Sequence, residues 1–176
     1  KSNLGKVSRS MQSKAIKIKH PILEYQITEV GQSIFLGRLS PKTNWVVDAH
    51  RFNENTPVLA GTAQLTCMFT AASLYFKTNN IQIDSIEYIR PLKIDENGSA
   101  LKVSIKKDLN AKAILEIYFC TSSETLFETD LHWELASQAI ICVHSLQAPL
   151  ADKNIDFTSL DLPEKTQIPK WWSWCK

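Results

Sequence analysis

The sequence lacks a long apolar run, a signal peptide and a strong net charge. No segment approaches the ~20 consecutive apolar residues that cross a bilayer, so we predict no membrane span. Residues 1–19 also lack the apolar centre of a signal peptide. The formal net charge is only +2 and the basic residues are scattered, which argues against a surface for nucleic acid or anionic lipid.

The sequence also lacks closely spaced cysteines. Its four cysteines include no C-x-x-C pair, and their spacing fits neither a zinc site nor a disulfide-rich secreted domain. We therefore expect reduced, mostly buried thiols, no bound metal and a cytoplasmic location. The cysteines are Cys67, Cys120, Cys142 and Cys175.

The composition that is present suits one globular domain. The chain has 176 residues, of which 44% are hydrophobic and 22% are charged, enough for a single core. Residues 1–18 are polar and rich in lysine, and we interpret them as an N-terminal linker. Residues 149–176 carry prolines, mixed charge and little periodicity, which predicts a C-terminal linker or tail. The domain is thus expected over residues 19–148.

Residues 61–78 give the clearest helix prediction. Apolar residues recur there at positions i, i+3, i+4 and i+7, which is the helical period. Because most sides of this helix are apolar, we expect other elements to enclose it. The main stripe consists of Leu65, Met68, Phe69, Ala72, Tyr75 and Phe76.

Most of the remaining sequence alternates between apolar and polar residues, which predicts antiparallel strands. One buried helix among such strands needs a sheet that curls around it, so the predicted fold class is α+β. Trp45 and Trp133 are expected in or over the core. Strands are predicted near residues 23–30, 33–39, 45–52, 81–90, 101–105, 113–120, 127–134 and 137–144.

A series of short motifs also follows a characteristic order along the chain. They are His20-Pro-Ile-Leu23, Leu36-Gly-Arg-Leu-Ser40, Trp45-Val-Val-Asp-Ala-His50, Pro57-Val-Leu-Ala-Gly-Thr62, Ile86-Glu-Tyr-Ile-Arg-Pro-Leu92 and Trp133-Glu-Leu-Ala-Ser137. In this order the motifs resemble the N-terminal half of a polyketide synthase dehydratase domain, which is a double hotdog. The resemblance covers about residues 19–150. It implies a hotdog fold, with a curled antiparallel sheet around one central helix and a second hotdog after residues 149–176.

The resemblance implies the removal of water from a 3-hydroxyacyl thioester. The substrate is carried on the phosphopantetheine arm of an acyl carrier protein, and no further cofactor is expected. His50 matches the family's catalytic histidine, and imidazole suits a general base because it ionises close to neutral pH. If residues 45–52 form a strand, Asp48 and His50 share one face, which makes Asp48 a candidate to orient the ring.

The reaction also needs a donor to the thioester oxygen and an acid for the leaving hydroxyl. Backbone N–H groups at the start of the predicted helix have no acceptor within the helix and lie at its positive end. The predicted substrate-binding turn is therefore Leu59, Ala60, Gly61 and Thr62. In the family the acid is an aspartate of the second hotdog, and Thr66 stands where single-hotdog dehydratases have a glutamate. We therefore expect a partner hotdog, from the same parent chain or from another copy, in a dimeric assembly.

The sequence departs from the family pattern H-x3-G-x4-P at two positions. Glu54 stands where glycine is expected, and Ala60 replaces the proline before Gly61, which predicts a looser turn. Two alternatives therefore stay open. One is a free-standing homodimeric hotdog that acts on acyl thioesters as a dehydratase, isomerase or thioesterase. The other is a degenerate, non-catalytic hotdog that serves as a scaffold or acyl-binding module.

Overall fold

The computed structural model describes residues 9–53, 55–108, 112–121, 126–127 and 131–143. Within these residues it contains one large sheet with a long helix against it. The helices are α1 (Arg9–Lys14), α2 (Trp45–Asp48) and α3 (Gly61–Phe76). The strands are β1 (Ile16–Lys17), β2 (Tyr25–Glu29), β3 (Gln32–Leu39), β4 (Arg51–Phe52), β5 (Thr56–Pro57), β6 (Ile81–Tyr88), β7 (Ser99–Lys107), β8 (Lys112–Cys120) and β9 (Glu134–Val143).

Seven of these strands form a curled antiparallel sheet in the order β1-β2-β3-β7-β8-β9-β6. After β3 the chain leaves the sheet, passes through α2, the β4–β5 pair and α3, and returns as β6 at the opposite edge. Strands β7, β8 and β9 then fill the space between β3 and β6 by antiparallel pairing. The segment between β3 and β6 therefore carries α3 across one face of the sheet.

The alternating sequence pattern predicts most of this architecture. In β8 the side chains of Ala113, Leu115, Ile117 and Phe119 are buried, because alternate residues of a strand face the same side. The strands predicted near residues 23–30, 33–39, 81–90, 101–105, 113–120 and 137–144 are confirmed, and so is the helix predicted over 61–78. The α+β hotdog class is likewise confirmed.

Helix α3 rests on the inner face of the sheet mainly through small side chains. Small side chains let a helix approach its neighbour closely, so the two surfaces pack without voids. Sheet residues such as Val103, Leu115 and Ile141 complete this core. The buried residues of α3 are Ala63, Gln64, Cys67, Met68, Ala71 and Ala72.

A second, smaller core covers part of the outer face of the sheet. Its buried residues are Ile27, Leu36, Ala100, Cys120 and Leu126, and Met11 of α1 packs against them. Residues 9–17, predicted as part of a linker, thus form α1 and β1 and join the domain. The same cluster includes Phe127, Leu131 and Trp133. The strand predicted near residues 127–134 is not observed at residues 126–127 and 131–133. Residues 128–130 and 149–176 lie outside the described residues.

The strand predicted over residues 45–52 is wrong. Residues 45–48 form the short helix α2, and only residues 51–52 are extended, as β4. Local hydrogen bonds outcompete the strand here, because the Asn44 side chain accepts from Ser40 N–H at 2.8 Å and the Asn44 carbonyl accepts from Val47 N–H at 2.9 Å. Trp45, expected in or over the core, is 79% exposed as a result.

Helix α3 is less enclosed than its sequence suggests. Leu65 and Phe69, on the face opposite the sheet, are exposed by 36% and 39%, and Leu74 near the end of the helix is exposed by 40%. The expectation of enclosure is therefore correct only for the side that faces the sheet. None of the helices in the described ranges has the length and apolar character needed to cross a membrane.

Replacing Gly37 tests how closely β3 approaches the preceding chain. A Cβ atom on Gly37 would overlap the Ile22 carbonyl oxygen, which is backbone and cannot move aside cheaply. We expect Gly37→Ala to lower the free energy of unfolding by about 1–3 kcal/mol in urea denaturation followed by circular dichroism. Gly31→Asn is the control, because Gly31 is in open space and Asn tolerates its positive φ. Equal stability of Gly37→Ala and the native chain would contradict this packing.

Candidate active site

His50 lies in an exposed turn between α2 and β4. Its backbone is held on both sides, because His50 N–H donates to the Val47 carbonyl at 3.2 Å and Val58 N–H donates to the His50 carbonyl at 2.9 Å. The ring atom Nδ1 lies 2.9 Å from the Val46 carbonyl oxygen. Since a carbonyl can only accept, Nδ1 must carry the proton, which leaves Nε2 as the basic atom of the neutral ring.

Asp48 does not orient His50 in this structure. Its carboxylate instead pairs with Arg51 at 2.6 Å, and the same guanidinium binds Glu96 at 3.0 Å. The hydrogen bond to Asp48, followed by the bond to Glu96, raises the pKa of Arg51. The Asp48–His50 pairing assumed a strand, and the helical backbone of α2 removes it. The Val46 carbonyl holds the ring in its place.

The start of α3 is fixed to the neighbouring chain. Leu59 N–H donates to the Leu92 carbonyl at 3.0 Å, and Ile94 N–H donates to the Pro57 carbonyl at 2.8 Å. Ala60 precedes the helix with φ −56° and ψ 149°, and its side chain provides no cap. That φ lies within the range of proline, so the turn keeps a proline-like shape although the residue is alanine. The looser turn expected from Ala60 stays a prediction.

Sequence reasoning missed two residues that support this turn, Gln64 and Tyr88. Gln64 is only 3% exposed, and its Nε2 donates to the Leu59 carbonyl at 3.0 Å while its Oε1 accepts from Ser137 Oγ at 2.7 Å. The Tyr88 hydroxyl donates to the Gly61 carbonyl at 3.0 Å. One signal for Gln64 is visible in the sequence, since an amide side chain interrupts the apolar stretch of α3.

Two clefts of similar size flank the start of α3. The first has a volume of about 420 Å³ and includes Leu59, Ala60 and Gly61 among its lining residues, together with Tyr88 and Arg90. The second also has a volume of about 420 Å³, and its lining includes His20, Trp45, Val46, Thr62 and Thr66. The four predicted substrate-binding residues are thus divided between two clefts. The lining of neither cleft includes His50.

His20 differs from His50 in its protonation pattern. His20 Nδ1 accepts hydrogen bonds from Ile22 N–H at 3.1 Å and Leu23 N–H at 2.9 Å, so the proton of the neutral ring is on Nε2. Burial lowers the pKa of His20, which favours this neutral form. The ring therefore closes a turn of backbone, and within the described residues its buried Nε2 has no hydrogen-bond partner.

Cysteine chemistry is suppressed in the core. Burial raises the pKa of Cys67 on α3 to about 12, so the thiol stays protonated at physiological pH. Cys142 donates a hydrogen bond to Asp84 at 3.0 Å, and this bond raises the pKa of Cys142 as well.

Across the described ranges, no three His, Cys, Asp or Glu side chains are grouped as metal ligands would be.

Alkylation can test the protection of Cys67. Because its thiolate forms only as the pH approaches about 12, we expect iodoacetamide at pH 8 to leave Cys67 unmodified in the folded chain. Mass spectrometry of tryptic peptides would report the modification, with a sample unfolded in urea as the control. Labelling of Cys67 in the folded chain at the rate seen in urea would contradict its burial.

Comparisons with known proteins agree on one family. The polyketide synthase dehydratase domain family matches residues 20–119. Among solved structures, the erythromycin dehydratase is similar over 78% of this chain and 50% of its own, with 16% identity and a TM-score of 0.65. No curated protein matches the chain significantly.

Two further solved structures show the same fold. The dehydratase domain from the CurJ module of the curacin polyketide synthase is similar over 74% of this chain and 45% of its own, with 20% identity and a TM-score of 0.61. The bifunctional dehydratase-cyclase domain in ambruticin biosynthesis is similar over 78% of this chain and 48% of its own, with 19% identity and a TM-score of 0.59. The chain thus spans about half the length of the structures it matches.

Proposed function

The chain belongs to the polyketide synthase dehydratase domain family, and from this premise we propose that it is the N-terminal hotdog of a dehydratase acting on 3-hydroxyacyl thioesters. The acyl chain is attached to the phosphopantetheine arm of an acyl carrier protein. The reaction breaks the α-C–H bond and the β-C–O bond, forms the α,β double bond and releases water. It needs no cofactor beyond the carrier's arm.

His50 is the proposed general base. The observation that carries this role is the hydrogen bond from Nδ1 to the Val46 carbonyl at 2.9 Å, which fixes the ring and leaves Nε2 unprotonated on an exposed surface. A neutral imidazole in this state can take the α-proton of the thioester. The backbone bond between His50 and Val58 ties the base to the strand that leads into α3.

The start of α3 is the proposed binding site for the thioester oxygen. The Gly61 N–H opens the helix, where no acceptor exists one turn earlier and the helix dipole is positive. Donors of this kind stabilise the negative charge that develops on the oxygen as the α-proton leaves. Leu59, Ala60, Gly61 and Thr62 therefore keep their proposed role in substrate binding.

A second hotdog is the proposed partner and the source of the acid. The uncovered apolar face of α3, with Leu65 and Phe69, supports such a contact, because apolar surface on a helix is stabilised by burial. Thr66 cannot supply the proton, since its hydroxyl donates to the Thr62 carbonyl at 3.0 Å and is a poor acid near neutral pH. The chain alone is therefore expected not to complete the reaction, and the assembly is expected to be dimeric.

Two related structures support a role for a histidine and an aspartate in this chemistry. Two of the similar structures are inactive mutants of the CurK dehydratase, one with phenylalanine in place of a histidine and one with asparagine in place of an aspartate. In the present proposal His50 is the histidine, and the aspartate belongs to the partner hotdog. The proline-like φ of Ala60 also weakens the case for a degenerate, non-catalytic hotdog.

The acyl carrier protein and the compartment complete the proposal. Cys67 and Cys142 are free thiols, and Cys67 is buried. Reduced thiols persist in the cytoplasm, which is the proposed location. A carrier protein in the same compartment would deliver the substrate as a thioester.

Replacement of His50 tests the proposed base. In the full-length protein that contains this chain, His50→Ala should lower the rate of dehydration of a 3-hydroxyacyl-pantetheine thioester by about 10²–10⁴-fold, because the variant lacks the proposed base for the α-proton. Formation of the enoyl product would be followed by mass spectrometry. His132→Ala is the matched control, since His132 is exposed and has no proposed role. Equal rates for the His50 and His132 variants would exclude His50 as the base.

Replacement of Asp48 tests whether Asp48 or the Val46 carbonyl orients the His50 ring. If the Val46 carbonyl orients the ring, Asp48→Asn should change the rate of the same reaction by no more than about threefold, because Asp48 binds Arg51 and not His50. If Asp48 orients the ring, the loss should approach that of His50→Ala. Steady-state kinetics of the full-length variants distinguish these outcomes.

A further inference from the structure

The buried side chain of Gln64 holds the Leu59–Ala60 peptide group at the start of α3, and the Gln64 backbone holds the next peptide group. Gln64 Nε2 donates to the Leu59 carbonyl at 3.0 Å, and Gln64 backbone N–H donates to the Ala60 carbonyl at 3.0 Å. The far end of the amide is fixed too, because Ser137 Oγ on β9 donates to Gln64 Oε1 at 2.7 Å. The helix start is thereby connected to a central strand of the sheet.

This arrangement sets the direction of two N–H groups. The described residues contain no cis peptide bond, and in a trans peptide the C=O and the following N–H point in opposite directions. Because the carbonyls of Leu59 and Ala60 both point toward Gln64, the N–H groups of Ala60 and Gly61 both point away from it. Ala60 N–H makes no hydrogen bond with any described residue.

Alanine rather than proline at position 60 supplies the second N–H donor. The φ of Ala60, −56°, would suit a proline, but a proline has no N–H to offer. The chain therefore keeps the backbone shape of a proline and gains one donor.

A buried amide is also costly unless its polar atoms are paired, and both ends of the Gln64 side chain are paired, Nε2 with Leu59 and Oε1 with Ser137.

We propose that the Gln64 side chain, held by Ser137, is a positioning residue that directs the Ala60 N–H at the thioester oxygen of the substrate, beside the Gly61 N–H that the helix itself directs. This inference rests on the proposed function. Gln64 does not touch the substrate in this proposal. It acts through the Leu59–Ala60 peptide group, so that two donors rather than one meet the oxygen as negative charge develops.

The test uses the full-length protein and removes the amide in several ways. Gln64→Met removes the donor to Leu59. The double variant Gln64→Met, Ser137→Ala also removes the hydroxyl that Gln64→Met leaves unpaired, so its core should fold well. Gln138→Met is the matched control, because Gln138 lies on the same strand but its amide binds Glu87 on the surface at 2.7 Å.

The kinetic expectation is a change in kcat with little change in KM. Both Gln64 variants should lower kcat for a 3-hydroxybutyryl-pantetheine thioester by about 10- to 100-fold, because misdirected donors act mainly on the transition state. KM should change by no more than about threefold, and Gln138→Met should match the native protein. Native kcat in both Gln64 variants, or a loss confined to KM, would overturn the proposal.

A conservative variant gives a signature that a purely structural role would not. In Gln64→Glu, a neutral carboxyl can donate to the Leu59 carbonyl, whereas an ionised carboxylate cannot. Burial raises the pKa of such a carboxyl, so kcat should be close to native at low pH and fall as the pH rises through that pKa. The native protein and Gln138→Met should lack this additional fall in kcat, and its absence from Gln64→Glu would count against Gln64.

Amide spectra separate this inference from the proposed function. With ¹⁵N-labelled alanine, the signal of Ala60 should shift in Gln64→Met and stay in place in Gln138→Met. If the native protein shows no dehydration, the proposed function fails, and this shift alone then decides whether Gln64 positions the turn. An unshifted signal would overturn the inference whatever the activity.

Discussion

The close contact between α3 and the inner face of the sheet is the constraint on which the rest of the structure depends. The helix meets the sheet through Ala63, Cys67, Ala71 and Ala72, which are short enough to let the two surfaces approach. Such packing tolerates little change in volume, so the position of the helix along the sheet is fixed. The helix start is then held where the Leu59 N–H reaches the Leu92 carbonyl.

The polar groups of the candidate site are arranged around that contact. Gln64 is the polar member of the buried side of α3, and it uses its amide to join the helix start to β9. On the exposed side, His50 is connected to the chain that enters α3 through Val58. The base and the amide donors therefore belong to one continuous segment. The buried small side chains of α3 hold the end of that segment in place.

The face of α3 that points away from the sheet has a different role. Leu65 and Phe69 remain partly exposed there, whereas Cys67, Met68, Ala71 and Ala72 on the sheet side are fully buried. A helix with two apolar sides and one sheet has more apolar surface than that sheet can cover. In the proposed assembly a partner hotdog covers this remaining apolar surface.

Sequence patterns predict the elements that depend on many residues and miss those that depend on a few. The alternation in β8 and the helical period over 61–78 extend through several turns or pairs, so single exceptions do not hide them. The strand prediction over residues 45–52 was wrong because the run Trp45-Val46-Val47 resembles a strand. A four-residue helix is too short to show a helical period. The hydrogen bonds of Asn44 that settle this turn join residues only four apart or fewer.

The sequence by itself determined most strands, the long helix and the order of motifs, because local patterns are sufficient for these, and the resemblance of those motifs to the dehydratase family made His50 the candidate base. Only the tertiary structure decided that Val46 rather than Asp48 holds the His50 ring, and that Gln64 reaches both Leu59 and Ser137. Gln64 and Ser137 are 73 positions apart. Their contact exists only because the curled sheet brings β9 beneath the first turn of α3. A contact between residues so far apart in the sequence leaves no local sequence pattern.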